Sequence, residues 1–256
     1  MLSEFNNCAS EYHKFRPDYP EALFKLLIES FNLSKNSIIA DVGCGTARAS
    51  IPFAKQGISV IGIDPSPEML SLAQVTVKEM NLPISFLESN AEEIPLANNS
   101  VSFINCAQAF HWFDSQKVLQ EFARILKPSA GLAIYWNNRD QKAAPYLTKV
   151  ENLISKYNPK HQLGYQAKDW TLVLLESQLF TNIEFHTFSH AVEIPIEDFI
   201  GLTRSFSYVR NVLSDKTKVI FENELKEILK DASNNNLVWL PYQVKLWSAK
   251  TNKLNA

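Results

Sequence analysis

Residues 38–50 read IIADVGCGTARAS and place two glycines two positions apart at the end of a short apolar run. The chain has seven glycines among its 256 residues, and four of them, Gly43, Gly45, Gly57 and Gly62, fall within a span of twenty positions. Glycine lets the backbone come closer to a neighbour or a ligand than any side chain allows. We therefore expect a close approach at this turn.

The sequence around this turn alternates between two kinds of periodicity. Short apolar or β-branched runs read SIIADV, SVIGID, ISFLES, VSFINCA and GLAIYW, and helical patterns such as SPEMLSLAQVTVKEM and SQKVLQEFARILK lie among them. The alternation predicts a parallel sheet covered by helices on both faces. Ser66 followed by Pro67 predicts a helix start, and Pro52 predicts a kink in the helix after the glycines.

The pattern changes beyond residue 140. Helical stretches near 145–157 and 168–179 precede an alternating run, NIEFHTFSHAVEI, and further helical patterns fill 196–232. Because proline cannot donate within a central strand, we start the last strand at Tyr242, after Pro241. We predict one domain over 1–256, made of an N-terminal arm and helix (1–35), a core (36–140), a mainly helical cap (141–236), and a last strand with a tail (237–256).

Composition narrows the class of protein. The net charge of −2 and the pI near 6.2 give no general attraction to nucleic acid, and no apolar run reaches the length of a membrane helix. The first residues lack the pattern of a secretory signal. Three widely spaced cysteines indicate reduced thiols and neither a disulfide nor a metal site. We expect a cytoplasmic protein that binds neither membrane nor nucleic acid, with its oligomeric state open and a monomer plausible.

Two kinds of cofactor compete for the glycine turn. A nicotinamide dinucleotide site has a third glycine three positions after the second, where this chain has Arg48. Asp64, 19 positions after Gly45, suits a pair of ribose hydroxyls with either cofactor. Asp41, two positions before the first glycine, suits the ammonium of an amino-acid group and would repel a pyrophosphate. The turn therefore favours a nucleoside that carries an amino acid, and a nicotinamide oxidoreductase remains the alternative.

The stretch DVGCGTAR, together with Asp64, resembles motifs I and II of the class I S-adenosylmethionine-dependent methyltransferases. The similarity is closer to the type 11 branch, which includes the trans-aconitate methyltransferase-like proteins, through YHKFRPDYP, NAEEIPL, AQAFHWF and WNNRD. The resemblance implies a Rossmann-like, seven-stranded, mostly parallel sheet with a helical cap insertion near the C-terminus. It also implies methyl transfer from S-adenosylmethionine without a metal. A cofactor-binding protein without catalysis remains a further alternative.

The resemblance also implies roles for individual residues. Asp64 would accept from the ribose hydroxyls, and Arg16 would lie near the carboxylate of the cofactor. Asn90 stands where the family often has Asp, and its carbonyl oxygen can still accept from the adenine amino group. The full set of expected cofactor-binding residues is Tyr12, Arg16, Asp41, Gly43, Cys44, Gly45, Asp64, Pro65, Met69, Asn90, Ala91 and Gln108.

The expected acceptor is a small molecule with a carboxylate or a hydroxyl group. A carboxylate attacks without a base, whereas a hydroxyl needs one, and His111 is the candidate catalytic base. Arg139 and Arg204 could converge on an anionic acceptor. The expected substrate-binding residues are Trp112, Trp136, Arg139, Arg204 and Tyr208.

Overall fold

The computed structural model describes residues 14–161 and 168–253 of the chain. The helices are α1 (Glu21–Ser30), α2 (Ser50–Lys55), α3 (Pro67–Glu79), α4 (Ser115–Ile125), α5 (Tyr146–Tyr157), α6 (Trp170–Ser177), α7 (Ile196–Arg204), α8 (Ser207–Arg210) and α9 (Asp215–Ala232). The strands are β1 (Ile38–Val42), β2 (Ser59–Asp64), β3 (Ile84–Glu88), β4 (Val101–Ala107), β5 (Leu126–Arg139), β6 (Phe180–Pro195) and β7 (Leu237–Thr251). A 3-10 turn covers Phe110–Trp112. No helix of the described residues is long and apolar enough to cross a membrane.

The seven strands form one mixed sheet in the order β3-β2-β1-β4-β5-β7-β6. The pairs β1–β2, β2–β3, β1–β4 and β4–β5 are all parallel. Val42 at the end of β1 lies beside Ile63, and Asp41 lies beside Asn105 of β4. The predicted α/β architecture with a seven-stranded sheet is confirmed.

Apolar side chains cover both faces of the central strands. Along β1, Ile39 packs with Phe53 of α2 and Leu23 of α1, while Ala40 packs in a second cluster with Val118 of α4. Successive residues of a strand point to opposite faces of the sheet. The two clusters therefore bury opposite faces, as the strand-helix alternation predicts.

The chain divides into two compact units. The first, here called the core unit, comprises Asp18–Asn137, Tyr165–Phe188 and Val244–Ala256. The second, here called the helical unit, comprises Met1–Pro17, Asn138–Gly164 and Ser189–Gln243. The helical unit has a core of its own, in which α5, α7 and α9 contribute Val150, Phe199 and Leu225. The organisation into one domain with a cap at 141–236 stays a prediction.

The structure differs from two predictions that were based on prolines, a kink at Pro52 and a strand start after Pro241. Helix α2 begins at Ser50, so Pro52 lies in its first turn, where a backbone N–H has no partner within the helix, and no kink is needed. Strand β7 begins at Leu237 and contains Pro241, so the predicted start at Tyr242 is wrong. Proline removes only a donor from the strand, and the Pro241 carbonyl still accepts from the Asp140 N–H at 2.9 Å.

Candidate functional site

The strand order reverses between β1 and β4, which lie side by side. The chain builds β2 and β3 on one side of β1 and the later strands on the other, so the connections leave β1 and β4 in opposite directions. In parallel α/β sheets ligands bind outside the carboxyl ends of the strands at such a point. The segments that follow β1, β2 and β4 are therefore the candidate site.

The glycine turn after β1 is tied to the end of β2. The N–H groups of Gly43 and Cys44 both donate to the Ile63 carbonyl, at 2.8 and 3.1 Å. Gly43 has a φ of 71°, and a Cβ atom added to it would lie 2.3 Å from the Cβ of Ala109. Gly43 is thus required because the segments after β1 and β4 touch each other.

Two other glycines of the cluster, Gly62 and Gly45, have different surroundings. A Cβ atom on Gly62 would lie 2.9 Å from the Phe86 ring and 3.0 Å from the Cys44 sulfur, so this glycine makes room for both side chains. A Cβ atom on Gly45 would have no neighbour within 4 Å. Gly45 is therefore the part of the turn where the backbone is open to a ligand.

Asp64 holds the turn with its carboxylate. Oδ2 accepts from the Gly45 N–H and Oδ1 from the Ser66 N–H, both at 2.9 Å. Burial raises the pKa of this carboxyl above its ordinary value, and the two backbone donors oppose the rise. A carboxylate has about four acceptor positions, so Asp64 keeps the capacity to accept from a pair of hydroxyls.

Pro65 and Met69 follow Asp64 at the start of α3. The Ser66 hydroxyl accepts from the Met69 N–H at 3.3 Å, which confirms Ser66 as the N-cap. Met69 is 3% exposed and Pro65 half-buried. The helix start therefore fixes the backbone directly beside Asp64.

Asp41 lies fully buried in the fourth position of β1. Its Oδ2 accepts from the Ser50 hydroxyl, and its Oδ1 accepts from the Asn105 amide at 2.8 Å. Burial raises the pKa of Asp41 to about 6, against the effect of these two donors. The carboxylate therefore lies behind the glycine turn and not on its surface.

The segment after β3 carries Asn90 and Ala91. Asn90 is exposed, and its backbone carbonyl accepts from the Ser89 hydroxyl at 3.1 Å, while Ala91 is buried. The Arg124 guanidinium of α4 holds the next residues by donating to the Ile94 and Leu96 carbonyls at 2.8 Å.

Glu121 completes this clamp. It accepts from the Ile94 N–H at 2.6 Å and pairs with Arg124 at 2.7 Å. The sequence interpretation missed both residues, although opposite charges three positions apart on a predicted helix were a usable signal. Together they fix the segment that carries Asn90.

The segment after β4 carries Gln108 and His111. Gln108 has a φ of 59°, its N–H donates to the Tyr135 carbonyl at 2.8 Å, and its side-chain amide donates to the Asn137 carbonyl at 3.2 Å. The Trp136 indole N–H donates to Nδ1 of His111 at 3.1 Å. Burial lowers the pKa of His111 to about 4.

These contacts fix the chemical state of His111 near neutral pH. Because Nδ1 accepts a hydrogen bond, the neutral ring carries its proton on Nε2. The ring therefore presents a donor at Nε2 and is a weak base.

The two tryptophans of the expected substrate site lie in different surroundings. Trp112 is 37% exposed and lies 4.8 Å from the His111 ring. Trp136 is 1% exposed, stacks on Trp170 with ring centres 5.1 Å apart, and contacts Trp247 edge-on. Trp136 is thus a core residue that orients His111.

The arginines of the expected site belong to the helical unit. Arg139 at the end of β5 pairs with Glu151, and Arg204 at the end of α7 lies 3.4 Å from Glu222. Arg16 and Arg139 both lie over the Phe206 ring, at 4.5 and 4.8 Å. Each of the two predicted anion-binding arginines thus has a carboxylate partner of its own, and their convergence stays a prediction.

Tyr208, the remaining expected substrate residue, stacks on His161 with ring centres 4.2 Å apart and on Phe206 at 5.1 Å. Tyr12 lies outside the described residues. In the described part of the chain no group of three or more His, Cys, Asp or Glu side chains is placed to hold a metal ion.

Comparisons with known proteins decide the family. Residues 40–134 match the methyltransferase domain family. A methyltransferase of Schizosaccharomyces pombe is 31% identical over 229 residues, which cover 88% of this chain and 87% of the relative. The chain belongs to the class I S-adenosylmethionine-dependent methyltransferases.

A further relative and a solved structure are similar to this chain over almost its whole length. A methyltransferase of Mycobacterium tuberculosis is 26% identical over 246 residues, which cover 94% of this chain and 93% of the relative. The solved structure of a protein assigned as a type II methyltransferase, from Anaeromyxobacter dehalogenans, aligns with a TM-score of 0.68 at 22% identity. That alignment covers 92% of this chain and 97% of the other, and it shows a shared fold.

The buried carboxyl of Asp41 predicts a pH dependence of stability. Its pKa is raised from 3.8 to about 6 by burial, so folding favours the neutral form. Below pH 3.8 the Asp41 carboxyl is protonated in both the folded and the unfolded chain. As the pH rises towards about 6, the unfolded chain loses this proton while the folded chain keeps it, so the stabilisation of the folded state by this group is lost. The free energy of unfolding should therefore fall by roughly 3 kcal/mol from this group across that interval.

Urea unfolding of Asp41→Asn as a function of pH measures this effect. The variant should lose most of the fall, with a smaller slope left from Asp64, whose pKa is also raised. Glu79→Gln, at an exposed position at the end of α3, is the matched control and should keep the profile of the parent protein. Equal profiles for Asp41→Asn and the parent would contradict the assignment.

The Trp136 donor predicts the protonation state of His111. Long-range proton–nitrogen NMR should place the ring proton on Nε2 at pH 7 and give a pKa of about 4. In Trp136→Phe the pKa should rise, because a hydrogen bond to the neutral form is lost. Trp247→Phe, which removes another indole of the same aromatic cluster, should leave the pKa in place. A pKa near 6.5 in the parent protein would show that this description of His111 is wrong.

Proposed function

We propose that this methyltransferase transfers the methyl group to a carboxylate of a small molecule. The observation that carries the proposal is the hydrogen bond from Trp136 to Nδ1 of His111, which leaves the ring a donor and a weak base. A carboxylate is ionised at neutral pH and attacks without a base, whereas a hydroxyl has to lose a proton. The weakly acidic charge of the chain also favours a small acceptor over a nucleic acid.

The residues after β1 and β2 fit the expected cofactor. The open backbone at Gly45 would lie against the amino-acid part, and Asp64 would accept from both ribose hydroxyls with its remaining lone pairs. Asp41 would place negative charge behind the turn, which favours an ammonium group there. Asn90, beside Ala91, would accept from the adenine amino group through its carbonyl oxygen.

Further expected contacts complete this proposal. Cys44 would lie against the cofactor with its backbone beside Gly43, while Pro65, Met69 and Gln108 would shape the walls. Arg16 and Tyr12 of the N-terminal arm would cover the cofactor. Within the core unit, the glycine turn and the helix start would shield the cofactor from water.

Methyl transfer depends mainly on how the acceptor is positioned relative to the methyl group. When bound, S-adenosylmethionine supplies a methyl group on a positively charged sulfur. His111 would donate from Nε2 to the acceptor and orient it, and Trp112 would cover it from the solvent side. Holding an acceptor in line with the methyl group can supply several kcal/mol of the barrier reduction.

Cofactor binding tests the site. S-adenosylhomocysteine should bind the parent protein in calorimetry, and NAD should not. Asp64→Ala should weaken that binding by about 10- to 150-fold, the equivalent of about 1.5 to 3 kcal/mol for a charged hydrogen-bond acceptor. Glu88→Ala is the matched control, because Glu88 is exposed and pairs with Asp64 across β3 and β2. Equal affinities for Asp64→Ala and Glu88→Ala, both folded, would remove Asp64 from the site.

The stability of the product tests the acceptor class. The protein should be incubated with labelled S-adenosylmethionine and fractionated metabolite pools, with Asp64→Ala as the blank. A methyl ester should release labelled methanol in mild alkali, because hydroxide cleaves esters and leaves methyl ethers and methylamines intact. Label that survives alkali would overturn the carboxylate proposal.

A further inference from the structure

Trp170, the first residue of α6, lies in the core unit beside the hydrogen bond that carries the proposed function. Its side chain is 3% exposed, and the sequence interpretation gave it no role. Its indole ring contacts Trp136, which donates that hydrogen bond, and Phe110, the neighbour of His111 in the chain.

The contact with Trp136 sets the direction of the donor. The rings of Trp170 and Trp136 stack with their planes 7° apart and their centres 5.1 Å apart. Both rings are buried, so Trp136 can turn about its side-chain bonds only by leaving this stack. The stack therefore fixes where the Trp136 N–H points.

The contact with Phe110 holds the segment that carries the acceptor nitrogen. Phe110 begins the 3-10 turn that contains His111, and its ring meets the Trp170 ring edge-on at 5.1 Å. Phe110 is fully buried and anchors the turn in the apolar core. Trp170 thus holds both ends of the hydrogen bond, the donor through the stack and the acceptor through the turn.

Trp170 is itself held by the start of α6. Asp169 caps this helix by accepting from the Thr171 N–H at 2.9 Å, and Trp170 lies between these two residues. The Lys168 Nζ lies over the Trp170 ring, 4.2 Å from its centre. The ring is therefore supported by its own helix as well as by its two aromatic neighbours.

The indole nitrogen of Trp170 is unfavourable for stability. This Nε1 is shielded from solvent and has no acceptor among the described residues. A buried donor without an acceptor destabilises the folded protein, and a phenyl ring would not carry one. The broad face of the indole, which reaches Trp136 and Phe110 together, is what a phenyl ring lacks. That face therefore explains a tryptophan at this position.

We propose that Trp170 is a positioning residue of this methyltransferase, which holds the Trp136 N–H against Nδ1 of His111 and so keeps Nε2 directed at the acceptor. The inference rests on the proposed function, in which His111 orients the acceptor. A side chain that orients a substrate has to be held by neighbours that are themselves locked by packing. Trp170 acts through Trp136 and Phe110 and needs no contact with the acceptor or the cofactor.

Exchange of the Trp136 indole proton with solvent tests the hydrogen bond, because the bond protects this proton. Trp170→Leu removes the stack and the edge-on contact, so the proton should exchange at least about tenfold faster. The pKa of His111, about 4 in the parent protein, should rise because its donor is lost. Trp170→Phe keeps an aromatic face and should exchange at a rate between those of the parent and Trp170→Leu.

Leu174→Ala is the matched control for a merely structural effect. Leu174 is fully buried in the same helix and the same apolar cluster as Trp170, and its truncation also leaves a cavity. Both variants should lower the midpoint of thermal unfolding, but Leu174→Ala should keep the exchange rate and the His111 pKa of the parent. Equal changes in the two variants, or parent values in Trp170→Leu, would overturn the proposal. Where leucine prevents folding, a parent exchange rate in Trp170→Phe would overturn it.

The rate of methyl transfer connects the hydrogen bond to the reaction. With labelled S-adenosylmethionine and the metabolite fraction that the parent methylates, Trp170→Leu should lower the initial rate at least about tenfold, because the acceptor loses its orientation. Affinity for S-adenosylhomocysteine should stay at the parent value, since the glycine turn and Asp64 are unchanged. Leu174→Ala should keep the parent rate, and an equal rate in Trp170→Leu would contradict a positioning role.

The product of the reaction separates this inference from the proposed function. If alkali releases the label while the exchange rate and the His111 pKa stay at parent values in Trp170→Leu, Trp170 is not a positioning residue and the proposed function stands. Label that survives alkali overturns the proposed function, and with it the role of Trp170 in the reaction, whatever the exchange rates.

Discussion

The segment after β1 is joined to the end of β2 by three hydrogen bonds, and the candidate site depends on them. Two N–H groups of the glycine turn share the Ile63 carbonyl, and the N–H of Gly45 donates to Asp64. These bonds make the end of one strand the support of the next connection. The side chain that would accept from a ribose is thus also the one that holds the open glycine in place.

Local patterns of the sequence predicted this part of the molecule well. The spacing of the glycines and Asp64 follows from the geometry of one βαβ unit, which is fixed by neighbours in the chain. The same holds for Ser66, whose capping role depends on residues three positions away. The purpose of Gly43 was harder to predict, because its neighbour Ala109 lies after β4, far along the sequence. Sequence spacing showed where the backbone comes close, but not to what.

Interactions between distant segments explain what the sequence could not give. Glu151 partners Arg139, and Trp136 donates to His111, across 12 and 25 positions of the chain. Neither pairing has a sequence signal, since each depends on how side chains pack in three dimensions. The same applies to Pro241, which a strand tolerates where its carbonyl, and not its missing N–H, has the partner. The sequence therefore identified these positions as important, but it could not give their hydrogen-bond partners or protonation states.

The helical unit is discontinuous along the chain, which bears on how such proteins can diversify. Its segments Asn138–Gly164 and Ser189–Gln243 are separated by Tyr165–Phe188 of the core unit, and β5, β6 and β7 each pass from one unit to the other. A single recombination event cannot exchange a unit of this kind, because a crossover at one point would cut the strands that both units share. New ligand preferences can instead arise from substitutions, insertions and deletions within the unit, around an inherited scaffold. The glycine turn and its carboxylates lie wholly within the core unit and could remain unchanged throughout.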